Sequence, residues 1–198
     1  MALDIKNNLT VGRSHYQDSS LRQLTGKAEY IDDIPLAANA LHGALILSEI
    51  PSGTIISINA KMAKKFDPDI IVITAKDIPG KNDIAPIFED EPIFADKKVT
   101  YVGQPIGLIL ASSMEKARAA VKEVKIVYKK DKSPILDLNT AFKKQSFFLK
   151  PIHFQRGKAK EKIKLAECRL EGSFSMGGQD HFYLETHIAL AIPHENSE

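Results

Sequence analysis

The sequence predicts an α/β (α+β) fold, and three observations carry that expectation. Apolar runs with strand character recur at Leu41–Ser48, Ile70–Ile73 (β-branched throughout) and Val99–Ala111. Between them lie stretches with helical periodicity: Ile58, Met62 and Phe66 at steps of four, then Met114, Ala117, Val121 and Val124 on one face. The order strand, helix, strand from Val99 to Tyr128 resembles a crossover unit, the hallmark of mixed α and β layers.

Taken in order, residues 1–20 read as an irregular leading arm. Asp32-Asp33-Ile34-Pro35 is a turn, because carboxylates bond nearby amides and proline stops regular structure. A strand is expected over Leu41–Ser48 and a helix over Ser57–Phe66, closed by Asp67-Pro68. The β-branched run Ile70–Ile73 predicts the next strand. Thr74 to about Lys98 is rich in proline and acids and reads as a long loop, with at most one helical turn. Loops of that length are usually functional or interface-forming, with a solvated connector as the equal alternative. In Val99–Ala111 the pair Gly103 and Pro105 predicts a bulge or bend near Gln104. Ser112-x-x-Glu115 has the form of a capping box for the following helix, and Lys125–Tyr128 returns as a strand. A short helix is expected over Asp137–Lys144 with Leu138, Ala141 and Phe142 inward. Residues 145–160 look irregular. Arg169–Met176 and His187–Pro193 carry strand patterns.

Composition narrows the functional classes. Hydrophobic residues make up 43% and charged residues 26%, ordinary for a globular protein. With 27 basic and 25 acidic residues, the net charge of +2 points to neither nucleic acid nor an anionic membrane as partner. The lysine pairs at 64–65, 97–98, 129–130 and 143–144 are scattered, as solvated faces are. Cys168 is the one cysteine, so no intrachain disulfide can form, and it is a poor metal or redox candidate by itself. The sequence is compatible with a reducing cytoplasm, which is the expected location. The first ten residues lack signal-peptide character, and no run approaches the roughly 18 apolar residues of a membrane helix.

The candidate chemistry concentrates in GGQDHFYLE, Gly177 to Glu185. Adjacent glycines let a backbone approach a ligand closely or take φ > 0. Gln179 then offers two donors and an acceptor from one planar group, a combination suited to a polar ligand. The plainer alternative is a turn residue that satisfies its own backbone. On a strand, Glu185 and His187 would share a face, joined by His181 if the strand reaches that far, and such ligands suit zinc or iron. But spacings of four and two match no compact zinc signature, and three polar residues on an edge strand are the commoner reading. Walker, Rossmann and Gly-x-Ser-x-Gly patterns do not occur. Nothing marks a nucleophile for a Ser-His-Asp triad.

Those residues also carry a resemblance. GGQDHFYLET, preceded by Leu170-Glu171-Gly172, resembles the pterin-site peptide of the xanthine dehydrogenases, within the molybdenum hydroxylases that also include aldehyde oxidases. Val11-Gly12-Arg13 and TGKAEYIDDIP (Thr25–Pro35) resemble the entry to that family's α/β hammerhead domain. TAKDIPGKNDIAP (Thr74–Pro86), DEPIFA (Asp90–Ala95) and VTYVGQPIGLILA (Val99–Ala111) follow in the family's order. HFYLE tilts the likeness toward the xanthine dehydrogenase branch. Asp180 stands where glutamate is usual, and Arg156-Gly157-Lys158 stands where an acidic residue commonly follows the glycine.

The resemblance implies a leading arm over 1–20, an α/β hammerhead domain over 21–132, and the incomplete beginning of a molybdopterin-binding domain over 133–198. It implies that Gln179 faces the molybdenum centre within hydrogen-bond reach, with Gly177 and Gly178 packed close to the pterin. No catalytic residue and no direct metal ligand is expected in this chain. The implied parent enzyme hydroxylates purines with water as oxygen source. Its other partners would be the remainder of the molybdenum subunit and a subunit or domains carrying a 2Fe-2S cluster and FAD. The chain alone is expected to be inactive. The rival reading, from another class, is a non-catalytic assembly module that keeps the hammerhead fold. A coding continuation immediately downstream would favour the enzyme, and a clean stop the module. A free-standing metal protein built on His181, Glu185 and His187 is a weaker third reading, open to elemental analysis.

Overall fold

The computed structural model describes residues 14–193. The described residues fall into two compact units, one of residues 37–170 and one of residues 14–36 with 171–193. Val11-Gly12-Arg13 and most of the leading arm lie outside the described residues.

The unit over 37–170 holds two three-stranded sheets, both antiparallel throughout. Strands β1 (His42–Leu47), β3 (Ile71–Thr74) and β5 (Pro105–Ala111) form the first, in the order β1-β5-β3. Strands β2 (Gly53–Asn59), β4 (Lys98–Val99) and β6 (Lys125–Lys130) form the second, in the order β4-β2-β6. Register pairs Leu45 and Ile73 with Leu108 on either side of the central strand β5. In the second sheet Gly53 pairs with Val99 on one side and Lys130 on the other. The mixed α and β class is as expected, but the crossover is not. Strand β5 belongs to one sheet and β6 to the other, so helix α3 (Met114–Lys122) links two antiparallel sheets rather than two parallel neighbours. Strand order along the chain does not encode which sheet a strand joins.

The core forms where α3 lies over the first sheet. Ala117 and Ala120 on α3 are fully buried, as are Ile106 and Ile109 on β5 and Val99 on β4. α3 packs on β1, β5 and the short helix α2 (Lys61–Phe66). Small side chains on α3 and Ala63 on α2 allow that close approach. Lys116 Nζ also lies 3.4 Å from Asp67 Oδ2, just beyond the end of α2. The cap of α3 is Ser113, not Ser112: its Oγ accepts the Lys116 N–H at 3.3 Å. The residue three beyond that cap is Lys116, so no capping box closes there.

The bend expected near Gln104 is a larger event than a bulge. The chain leaves β4 in one sheet and enters β5 in the other through Gly103, whose φ of 85° favours glycine. Ser48, just past β1, grips this crossing from both sides. Its N–H donates to the Gln104 carbonyl at 2.9 Å and its carbonyl accepts the Gly103 N–H at 2.7 Å. The Gln104 side chain completes the clamp, with Oε1 accepting from Thr100 N–H at 2.7 Å. Ser48 and Gln104 are the buried polar residues of the described chain, 2% and 5% exposed.

Several expectations shift. Ser57 to Asn59 belong to β2, so the helix expected from Ser57 begins only at Lys61. Pairing of β2 with β6 overrides the helical spacing of Ile58. Asp137 caps helix α4 (Leu138–Lys143), its Oδ1 accepting the Thr140 N–H at 2.8 Å, which holds that carboxyl below its usual range. But Leu138 and Phe142 are exposed rather than inward, and Ala141 is half-buried. Helices α1 (Ser20–Thr25) and α5 (Ala159–Leu165) were not expected. α1 trims the irregular arm at its end and stops at Gly26, φ 68°, a C-cap glycine. Arg169–Met176 and His187–Pro193 form no strand. A strand pattern becomes a strand only beside an edge that takes its hydrogen bonds, and no strand pairs with either segment among the described residues.

The tight spacing in the first sheet yields a stability prediction. A Cβ on Gly107 would sit 2.6 Å from the Ile73 carbonyl oxygen, backbone that cannot step aside cheaply. Gly107→Ala is expected to destabilise the chain by about 1–3 kcal/mol. Gly80→Ala, where a Cβ meets nothing within 4 Å, is the control and should melt like the parent. Paired thermal melts check both.

Candidate functional site

The GGQDHFYLE peptide belongs to the unit formed by residues 14–36 and 171–193. It is irregular, and Gly177, Gly178 and Gln179 are exposed. Neither glycine has a positive φ, and a Cβ on either would meet no atom within 4 Å. Nothing inside the described chain therefore requires glycine at these two positions. The Gln179 side chain takes no hydrogen bond from the described residues either, so the plain reading of a turn residue bonding its own backbone does not describe it.

The turn that follows is made by Asp180. Its Oδ1 accepts the Phe182 N–H at 3.2 Å, an Asx-type contact. Phe182 has φ 51°, an uncommon conformation for an aromatic residue. The Tyr183 hydroxyl and His187 Nε2 form a short hydrogen bond, and their rings meet edge to face with centroids 5.3 Å apart. Glu185 is half-buried and its Oε1 accepts the Ile31 N–H at 2.9 Å, across 154 residues of sequence.

These contacts disperse the metal-ligand trio considered from sequence. Glu185 is engaged with backbone, His187 with Tyr183, and His181 is exposed. Among the described residues no group of three His, Cys, Asp or Glu could hold a metal ion. The structure also adds a residue that sequence reading passed over. The Ile31 backbone amide, in the YIDDIP segment, meets the GGQDHFYLE segment through Glu185. Both segments carried the resemblance, but no spacing rule joins them.

Cavities lie elsewhere. One of about 410 Å³ opens between β2 and β3, lined by Ile55, Ile58, Val72, Thr74, Lys76 and Lys97 among others. A wider one of about 600 Å³ lies at Arg22, Gly26, Lys27, Ala28, Glu29 and Asp33. Neither is lined by residues 177–185.

Residues 25–132 match the family model described as aldehyde oxidase and xanthine dehydrogenase, a/b hammerhead domain. The chain belongs to the aldehyde oxidase and xanthine dehydrogenase family. Residues 140–198 match the molybdopterin cofactor-binding domain, so the candidate peptide falls in a cofactor-domain stretch. The xanthine dehydrogenase/oxidase of Gallus gallus is 41% identical over 185 residues, 93% of this chain and 13% of that protein. Xanthine dehydrogenase 1 of Arabidopsis thaliana is 38% identical over 94% of this chain and 14% of that protein. A nicotinate hydroxylase of Emericella nidulans is 39% identical over 93% of this chain and 14% of its own length. This chain therefore spans about one-seventh of the curated relatives it matches. Among solved structures, the aldehyde oxidoreductase of Desulfovibrio gigas superposes with TM-score 0.52 at 31% identity, over 57% of this chain and 14% of that one. The CO dehydrogenase of Oligotropha carboxidovorans superposes with TM-score 0.55 at 25% identity, over 66% and 16%. The fold class expected from the sequence, a hammerhead domain followed by the start of a cofactor-binding domain, is thus correct.

Packing at Phe182 yields a second prediction. A buried ring there would cost about 3–5 kcal/mol on truncation, but Phe182 is 95% exposed. Phe182→Ala in this chain is expected to change stability by no more than about 0.5 kcal/mol, as read by denaturant titration.

Proposed function

We propose that this chain is the leading part of a molybdenum subunit whose parent enzyme hydroxylates a purine, hypoxanthine or xanthine, with water as oxygen source. The observation that carries the reading is the state of Gln179. Its amide is exposed and bonds to nothing in the described chain, within a stretch of cofactor-domain sequence. An uncharged amide beside two glycines without intrachain duties fits a polar, oxygen-rich cofactor. Xanthine dehydrogenases among the relatives support a purine, while the nicotinate hydroxylase makes another heteroaromatic ring the competing substrate.

In this reading 21–132 is the hammerhead domain and 133–198 begins the cofactor domain. Gln179 would hold the group through its side-chain amide, and Gly177 and Gly178 would offer close backbone approach. Molybdopterin, when bound, supplies the two-electron oxidation of the substrate. The contribution of this chain is a fixed donor: an amide beside a metal centre tunes and orients it without moving a proton. The Asp180 contact with Phe182 sets the direction in which the chain leaves that donor.

The 2Fe-2S and FAD groups would sit on other domains or subunits, since Cys168 is the only thiol here and such clusters need four ligands. Exposed Leu170, Phe174, Phe182 and Leu184 would be covered by the remainder of the subunit, which would also pair the strand-patterned segments. A cytoplasmic setting suits this enzyme. No helix among the described residues is long and apolar enough to cross a membrane.

Two experiments test the proposal. Purified alone, the chain should neither oxidise xanthine nor hold stoichiometric molybdopterin. A few hydrogen bonds at about 0.5–1.5 kcal/mol each barely meet an association cost of at least about 4 kcal/mol. Stoichiometric cofactor on the isolated chain would contradict this. In the intact subunit, Gln179→Ala should lower turnover per bound molybdenum by about 100- to 1000-fold, with a much smaller effect on melting temperature, because in this reading the side chain contacts the cofactor rather than the protein core. Near-normal turnover at full molybdenum occupancy would withdraw Gln179 from the cofactor.

A further inference from the structure

We infer that Glu185 is a positioning residue: its carboxylate ties the Gly-Gly-Gln peptide to the Ile31 amide and thereby aims Gln179. The inference rests on the cofactor reading of Gln179 given above.

From Gly177 to Leu184 the peptide is irregular and exposed, with its hydrogen bonds among the described residues kept to near neighbours. A donor on so loosely held a backbone would be poorly aimed, since a site group must stay within about 0.5 Å of its productive place. Six residues after Gln179, Glu185 breaks the pattern. It is half-buried among exposed neighbours, and its Oε1 accepts the Ile31 N–H at 2.9 Å.

The anchor it reaches is itself held. Ile31 opens a single 3-10 turn, Ile31–Asp33. The preceding amide, Tyr30 N–H, is taken by Asp33 Oδ2 at 2.9 Å, and Asp33 N–H returns to the Tyr30 carbonyl at 2.9 Å. The Tyr30 hydroxyl hydrogen-bonds the Gln23 side chain on α1. Glu185 thus bonds to a backbone amide fixed on both sides, not to a mobile side chain. A charged acceptor on an N–H is among the stronger hydrogen bonds available. The Asp180 contact shapes the near end of the peptide and Glu185 secures the far end, with Gln179 beside the first of these points.

The test uses the intact, molybdenum-loaded subunit with Glu185→Ala, Glu185→Gln and Gln179→Ala. Glu185→Ala should speed hydrogen exchange of the peptide containing Ile31 and change the molybdenum paramagnetic signal. It should also lower kcat by about 10- to 100-fold, the usual effect of losing an outer support, with KM unchanged. Glu185→Gln keeps an acceptor oxygen at the same reach and should recover most of the exchange protection and the signal. The proposal is overturned if Ile31 exchange is the same in Glu185→Ala as in the parent. It is also overturned if Glu185→Gln behaves like Glu185→Ala, or if Glu185→Ala leaves signal and kcat intact while Gln179→Ala impairs both. If Gln179→Ala is silent too at full occupancy, the cofactor reading fails and takes this inference with it.

Discussion

The grip of Ser48 on the Gly103–Gln104 crossing is the interaction on which the unit over 37–170 depends. Strand β4 belongs to one sheet and β5 to the other, so the chain must turn between them without leaving polar backbone stranded in the core. Two backbone bonds from Ser48 and one from the Gln104 side chain meet that need. Glycine at 103 supplies the φ of 85° that a residue with a Cβ would resist. Once the crossing is held, β5 can serve as the central strand of its sheet, with β1 and β3 on its flanks and α3 over its face. Ser48 Oγ stays local, bonding the Ile50 backbone in both directions at 2.9 and 3.2 Å. Near it the buried Tyr128 hydroxyl finds no hydrogen bond of good geometry. Burial pushes that phenol up, against the smaller opposing pull of Ser48 and the Glu49 backbone.

The candidate peptide is organised by different means. Among the described residues, 177–185 bury no core and pair with no sheet. Their order comes from one Asx-type turn, one Tyr-His pair and one carboxylate-to-backbone bond. That economy suits a segment whose main contacts are with something other than this chain. No contact among the described residues requires the two glycines. Residue type and surroundings disagree at Gly177, Gly178 and Gln179, and in the proposed function a ligand approached by backbone and amide would resolve the disagreement.

Much of the fold was legible in sequence because it follows local rules. The β-branched run near Ile71 and the apolar stretch from Pro105 to Ala111 became strands, and the periodic face of Ala117 and Val121 became a packed helix side. Asp137 capped its helix as side-chain chemistry dictates. What could not be read was pairing. The helical spacing of Ile58 lost to the hydrogen bonds of β6, and the Val99–Tyr128 unit split between sheets because local pattern does not specify a strand's neighbour. Arg169–Met176 failed for the converse reason, a strand pattern with no edge among the described residues to receive it. The site divided likewise. Gln179 stood out by composition, whereas the bond between Glu185 and the Ile31 amide is a contact across 154 residues that no local spacing announces.

In the proposed function the Gln179 amide serves a bound molybdenum cofactor rather than its own turn. The most direct measurement is a structure of the intact subunit loaded with molybdopterin. The Gln179 amide nitrogen is expected at about 2.7–3.2 Å from an acceptor of the cofactor. An amide folded back onto the backbone of residues 177–182, with the cofactor out of its reach, would contradict it.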